Sequence, residues 1–193
     1  MRAANKIVLI NDEGRRKYLC ASEMPRFLEA AKRASLETRL FCQVLAFTGC
    51  RISEALSIEH IHLDAETGRL VFRTLKRRAH VFRTVPIPQE LMLALQRYAR
   101  KRAPQVRLWT WSRQTAWRRV KAVMEAAQIE GPHAMPKGLR HGFGVANAEQ
   151  NVPMPTTQKW LGHAHLETTA IYQEVAGVEE AALARRLWRK WAG

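Results

Sequence analysis

Apolar residues recur at helical spacing through the first third of the chain. In "SEMPRFLEAAKRA", Phe27, Leu28 and Ala31 share one face, with Ser22 placed to cap the helix. "SLETRLFCQVLAFTG" opens on Ser35 and carries Leu36, Leu40, Val44, Leu45 and Phe47 before Gly49 stops it. "RISEALSI" predicts a short third helix. The period then drops to two. "IEHIHLD", "RLVFRTL" and "HVFRTVPIP", separated by the turns "AETG" and "KRRA", predict a three-stranded antiparallel sheet. Beyond Pro88 the helical period returns in "QELMLALQRYARKRA" and in "SRQTAWRRVKAVMEAAQ", which Ser112 can cap. "GLRHGFGVANAEQ", "MPTTQKWLG", "LETTAIYQEV" and "VEEAALARRLWRKW" follow, divided by Pro, Gly and His. At the N-terminus "KIVLI" reads as a short strand and "NDEGRRK" as a loop. The expected fold class is α+β, mainly α: one helical domain with a small sheet.

Composition adds a partner to this picture. The chain has 193 residues, 47% of them apolar, enough for one proper core. Thirty-two Lys and Arg against 17 Asp and Glu give a formal charge of +15, an excess that folding itself does not need. Basic residues spread along the whole chain with aromatics among them point to nucleic acid rather than to a membrane surface. Cys20, Cys42 and Cys50 are odd in number and lack CxxC spacing, so they read as small core residues in a reducing compartment, with neither metal nor disulfide. The apolar stretches fall far short of the roughly 18 residues of a membrane span. These features predict a cytosolic protein.

Four separated stretches carry the chemistry: "TGCRISEAL", "TLKRRAHVFRTVPIP", "PKGLRHGF" and "LGHAHLETTAIY". In order and spacing the chain resembles, from about Tyr18 to Val175, the catalytic domain of tyrosine recombinases, the phage-integrase type of DNA breaking and rejoining enzyme. That resemblance implies a site made of Arg51, Lys76, Lys137, Arg140, His163 and Tyr172. It also implies a 3′-phosphotyrosyl intermediate that stores the bond energy, so that no cofactor is needed.

The residue types suit the implied chemistry. Charge in phosphoryl transfer lies on the nonbridging oxygens, where fixed cations matter most. Two arginines, each a planar fork that stays charged, make a phosphate clamp; here they are Arg51 and Arg140, expected to point from helix starts or short turns into a groove. Lys76, on the basic turn with Arg77 and Arg78 crowding it, matches the family's proton donor to the leaving 5′-oxygen. His163 would hydrogen-bond the phosphate or that oxygen, and His165 is a neighbour without a role. By the same resemblance Tyr172 is the expected nucleophile. Tyr18 and Tyr98 stand for the ordinary alternative, a half-buried aromatic with its hydroxyl at the surface.

Two departures from the family pattern stand out. Where a histidine is commonest in that family, this chain has Lys137, whose ammonium can clamp phosphate but cannot accept a proton unless its pKa falls strongly. His133 and His141 are nearby candidates for that task. The second departure is the missing N-terminal helical domain that closes the clamp on DNA. Residues 1–17 are a mere extension, 18–175 the catalytic domain, and 176–193 a terminal helix that packs on its own domain or on a neighbouring protomer. The chain is thus either naturally single-domain or a fragment, and its DNA binding is expected to be weak and salt-sensitive. Val178, Ala181, Ala182, Leu183, Leu187, Trp188 and Trp191 offer an apolar stripe on that last helix.

Around Trp109, Trp111 and Trp117, of which at least two are expected in the core, Arg113, Arg118, Arg119 and Lys121 are candidate DNA phosphate contacts. Double-stranded DNA is the expected partner, with a homo-tetramer on DNA and a monomer when free. Two other readings fit the same residues: a type IB topoisomerase that relaxes any plasmid, and a catalytically idle DNA-binding regulator.

Overall fold

The computed structural model describes residues 9–74, 81–175 and 177–192. Helices α1 (Glu23–Lys32), α2 (Leu36–Thr48) and α3 (Ile52–Leu56) come first, followed by strands β1 (Leu63–Asp64), β2 (Arg69–Thr74) and β3 (Val81–Pro86). Then come α4 (Gln89–Ala99), α5 (Arg113–Ala126), α6 (Pro136–Glu149), α7 (Met154–Leu161), α8 (Glu167–Ala170) and α9 (Gly177–Ala192). The mainly helical fold with one small antiparallel sheet is the one expected from the pattern. The strands lie in chain order, with Leu70 opposite Val85 and Phe72 opposite Arg83.

Helix α2 is the centre of the molecule. Leu40, Phe41, Cys42, Val44 and Leu45 are buried on several sides because α1, α4, α5 and α6 all pack against it. Each such side chain contributes about 1.5–3 kcal/mol of burial. Trp109 joins this core edge-on to Phe41, 5.1 Å between ring centroids, and donates its indole N–H to the Glu37 carbonyl at 3.1 Å. Trp111 packs on Phe41 from another side, whereas Trp117 is exposed. Two of the three tryptophans therefore serve the core. A second, smaller cluster unites Leu9, Val145, Leu161, Ile171 and Tyr172. It fastens the segment carrying Ile171 and Tyr172 to α6.

Local rules explain most boundaries. Ser35 and Ser112 accept the N–H groups of Thr38 and Thr115 and so cap α2 and α5 as expected. Ser22 does not cap α1: its backbone is already helical, and Glu23 instead accepts the Cys20 N–H at 3.0 Å and binds Arg16. The predicted strand "IEHIHLD" is mostly a 3-10 turn at His60–His62, with only Leu63 and Asp64 in the sheet. His60 and Ile61 donate their N–H groups to Val106 and Pro104, so this stretch pairs with the loop after α4 and not with β2. Cys42 and Cys50 are buried, and burial raises both thiols to about 12, but Cys20 is half-exposed beside Ser22 and is not a core residue. Of the N-terminal "KIVLI", Lys6 to Val8 lie outside the described residues; Ile10 forms an isolated bridge with Arg16. On α9, Leu187, Trp188 and Trp191 are exposed.

Candidate active site

Arg51 is the residue immediately before α3, in extended conformation. Glu54, one turn on, accepts both its backbone N–H at 2.7 Å and its guanidinium at 2.8 Å. The other side of the Glu54 carboxylate is held by Arg83 of β3, at 2.8 and 3.2 Å. Arg83 also donates to the Trp160 carbonyl at 2.9 Å and stacks over Phe72. It can thread that path because α7 ends on Gly162 in the left-handed region, φ +65°, where an added Cβ would sit 3.1 Å from the guanidinium. Burial works to raise the Glu54 pKa, but Arg83 and Arg51 outweigh it and hold the carboxyl below its ordinary value. Glu54 is therefore an anion shared between two arginines.

Arg140 is the fifth residue of α6, in its second turn and not at the helix start expected. Its two terminal nitrogens donate to the carbonyls of Gly49 and Leu161, 2.8 Å each, at the C-terminal ends of α2 and α7. Those carbonyls are the negative ends of helices and lack intrahelical partners, which suits a buried cation. Burial, and then the charge of Arg51, lower its pKa to about 10, so it remains a guanidinium at neutral pH. Three guanidiniums, Arg51, Arg83 and Arg140, thus face one carboxylate. The site has positive charge to spare.

His163 follows the Gly162 cap. Its Nδ1 lies 2.9 Å from the Thr169 hydroxyl and its ring stacks on Tyr172, 6.1 Å between centroids at 16°. Burial first, then Arg140 and Arg51, push its pKa down to about 3, which keeps the imidazole neutral. Tyr172 lies between α8 and a 3-10 turn at Gln173–Val175 and is 1% exposed. The hydroxyl contacts the His141 Nδ1 at 3.1 Å. Burial raises the phenol to about 12 against the opposing pull of Arg140 and Arg51. Its ring fits because residue 144 is glycine: a Cβ there would stand 2.5 Å from Tyr172 Cζ.

The structure thus brings Arg51, Arg140, His163 and Tyr172 into one charge-coupled group. Lys137 is exposed in the first turn of α6, near enough for its charge to depress His141. Lys76, Arg77 and Arg78 lie outside the described residues. Of the two candidate proton acceptors, His133 is engaged elsewhere, 3.1 Å from Glu23, and His141 meets the phenol. Arg113 and Arg118 are exposed on α5; Lys121 is half-buried, and Arg119 is tied to Thr38 at 3.0 Å and stacked over Trp111.

Residues 17–178 match the phage integrase family. The chain belongs to that family. Among its relatives, the tyrosine recombinase XerA of Pyrococcus furiosus is 31% identical over 169 residues, 82% of this chain and 57% of the relative. The phage integrase fold is equally clear in solved structures. That of XerH site-specific recombinase bound to a palindromic difH substrate, a post-cleavage complex, has a TM-score of 0.79 at 19% identity over 96% of this chain and 57% of that one. The catalytic domain of bacteriophage HP1 integrase has a TM-score of 0.62 at 24% identity, over 86% of this chain and 93% of that one. The chain spans little more than half the length of the curated relatives it matches.

Sequence reasoning missed Glu54, Arg83 and Thr169. Two of them had a signal. Glu54 stands three residues after Arg51, the spacing of a capping box. Arg83 occupies an inward position of β3 between exposed Phe82 and half-buried Thr84, in phase with buried Val85 and Ile87; an arginine on a strand's apolar face signals a buried ion pair.

Proposed function

We propose that this chain is the catalytic part of a site-specific DNA recombinase that cleaves and rejoins duplex DNA through a 3′-phosphotyrosyl bond at Tyr172. The observation that carries the reading is a tyrosine hydroxyl held in the field of under-neutralised guanidiniums, beside a neutral imidazole. A phosphodiester is the anion such a site favours.

Arg140 uses two of its five N–H groups on carbonyls, and the rest, without an acceptor among the described residues, can turn to the nonbridging oxygens. Arg51, less buried than Arg140 and Arg83, closes on the phosphate from the other side while Glu54 holds its orientation. Thr169 engages His163 Nδ1, which leaves Nε2 to meet a phosphate oxygen or the departing 5′-oxygen. Lys76 protonates that oxygen, as the family likeness implies, and exposed Lys137 contacts the DNA backbone.

A ring that is 1% exposed cannot meet a phosphate where it stands. Cleavage therefore requires the segment carrying Tyr172 to shift. That segment consists of one-turn elements, Glu167–Ala170 and Gln173–Val175, which are weakly self-stabilised. Four protomers on DNA, a monomer when free, and action in the cytoplasm complete the reading.

The test is trapping on nicked suicide duplexes drawn from a randomised pool, at low salt. A covalent adduct should form, enrich a particular sequence, and vanish in Tyr172→Phe. An adduct that survives that substitution removes Tyr172 from the chemistry; one with no preferred sequence points to a general relaxing enzyme.

A further inference from the structure

His141 follows Arg140 on α6 and lies one turn beyond Lys137. It is 2% exposed. Its Nδ1 is 3.1 Å from the Tyr172 hydroxyl, with the rings 5.9 Å apart and tilted by 51°, and its Nε2 is buried without a partner among the described residues. The hydroxyl hydrogen has a single acceptor in reach among those residues. The positive charge of Arg140 and Arg51, which acts to favour the phenolate, stabilises the oxygen's lone pairs and repels its hydrogen. Of the two imidazole tautomers, the one with its hydrogen on Nε2 lets the phenol donate into Nδ1 and leaves the fewest buried groups unpaired. Lys137, an exposed ammonium one turn earlier, has no lone pair to offer.

We infer that His141 is the proton acceptor for Tyr172 in strand cleavage. The inference rests on Tyr172 being the nucleophile. The shift that brings Tyr172 to the phosphate must keep its hydroxyl within hydrogen-bond distance of Nδ1; in that geometry the phenolic proton passes to Nδ1 as the phenol oxygen forms its bond to phosphorus. The bond from phosphorus to the 5′-oxygen breaks, and that oxygen leaves with a proton from an ammonium donor, the role given to Lys76. Rejoining runs in reverse: the 5′-hydroxyl attacks, and the departing phenol takes its proton back from Nδ1. No proton is gained or lost over the cycle.

The resting pair is neutral on both sides. Burial first, then Lys137, Arg140 and Lys17, hold His141 at about 4, while burial lifts Tyr172 to about 12. Transfer becomes favourable once oxygen–phosphorus bonding drains charge from the phenol and the phosphate's negative charge stands beside the imidazole. The nucleophile is thus not ionised before a phosphate is in place.

The test uses single-turnover cleavage of a nicked duplex selected by the wild-type chain. In His141→Asn an amide can still hold the phenol but cannot take its proton. Cleavage should slow by about 100-fold or more at a temperature where the melting curve shows the variant still fully folded. A fluorinated tyrosine at 172, whose phenol is more acidic, should recover much of the rate in the Asn variant and little in the wild type. His141→Gln repeats the readout with a different fit. An Asn or Gln variant that cleaves at the wild-type rate, or a deficit that the fluorinated residue leaves unchanged, would reduce His141 to packing. A wild-type chain that forms no adduct overturns the nucleophile assignment, and this inference with it.

Discussion

The two halves of the site are built differently. Arg51, Arg83 and Arg140 are fixed by an ion pair or by helix-end carbonyls and come from α6, β3 and the start of α3, all packed against the main core. Tyr172 hangs on a four-residue helix and a three-residue turn, covered by a small cluster of its own. Charge that must stabilise a transition state works best when it needs no reorganisation, and it is given the rigid half. A nucleophile that must reach phosphorus, bond to it and let go needs freedom, and it is given the half with little to hold it. The difference suggests that binding and attack are separable in energy.

Breaking the rigid half should have the largest effect. Glu54→Gln removes the one carboxylate shared by Arg51 and Arg83, leaving the buried Arg83 without an anion. Denaturant titration should show a loss of about 3–5 kcal/mol. The acid limb should change as well. The folded-state pKa of Glu54 lies below the unfolded value, near 4.3, so its contribution is complete above that pH and disappears as pH falls through the lower folded value. The wild type should lose stability there and the Gln variant much less. A Gln variant within about 1 kcal/mol of wild type would mean that the Trp160 carbonyl is enough to hold the buried Arg83.

This asymmetry also decides what could be read from the chain. The helices of the core were legible because α2 and α4 keep a 3.6-residue period, and the hairpin because β2 and β3 keep a period of two. Arg140 and Tyr172 were legible through the resemblance, as single positions in short motifs. Their supports were not. The link from Arg83 to Glu54 spans 29 positions and that from His141 to Tyr172 spans 31, distances over which no local periodicity carries information. The 3-10 turn at His60–His62 misled for a related reason. The consecutive backbone N–H groups of His60 and Ile61 go to the carbonyls of Val106 and Pro104 in a distant loop, and these tertiary hydrogen bonds overrode the local pattern.

Loosening the nucleophile half should have an intermediate and local effect. In Gly144→Ala the new Cβ would stand 2.5 Å from Tyr172 Cζ, and overpacking of this kind costs about 1–3 kcal/mol. The strain should be relieved by the ring, since α6 is anchored through Arg140 and its packing on α2. Amide hydrogen exchange should accelerate in residues 167–175 and stay slow in α2 and α6. Acceleration spread evenly over the molecule would show that the two halves are one cooperative unit.

The smallest effect tests whether the arginines of α5 divide in the same way. Arg113 and Arg118 are exposed, whereas Arg119 is clasped between Trp111 and Thr38. A solvated arginine that neutralises one DNA phosphate contributes about one unit to the slope of log binding constant against log salt and nothing to folding. Arg113→Ala and Arg118→Ala should each flatten that slope by about 1 and leave the melting temperature where it was. Arg119→Ala should do the reverse, lowering the melting temperature through lost stacking and leaving the slope intact, because a guanidinium held against an indole is part of the fold's framework. If Arg119→Ala flattens the slope as Arg113→Ala does, its stacking is only the resting place of a side chain that DNA draws out, and the line between fixed and mobile groups runs through α5 itself.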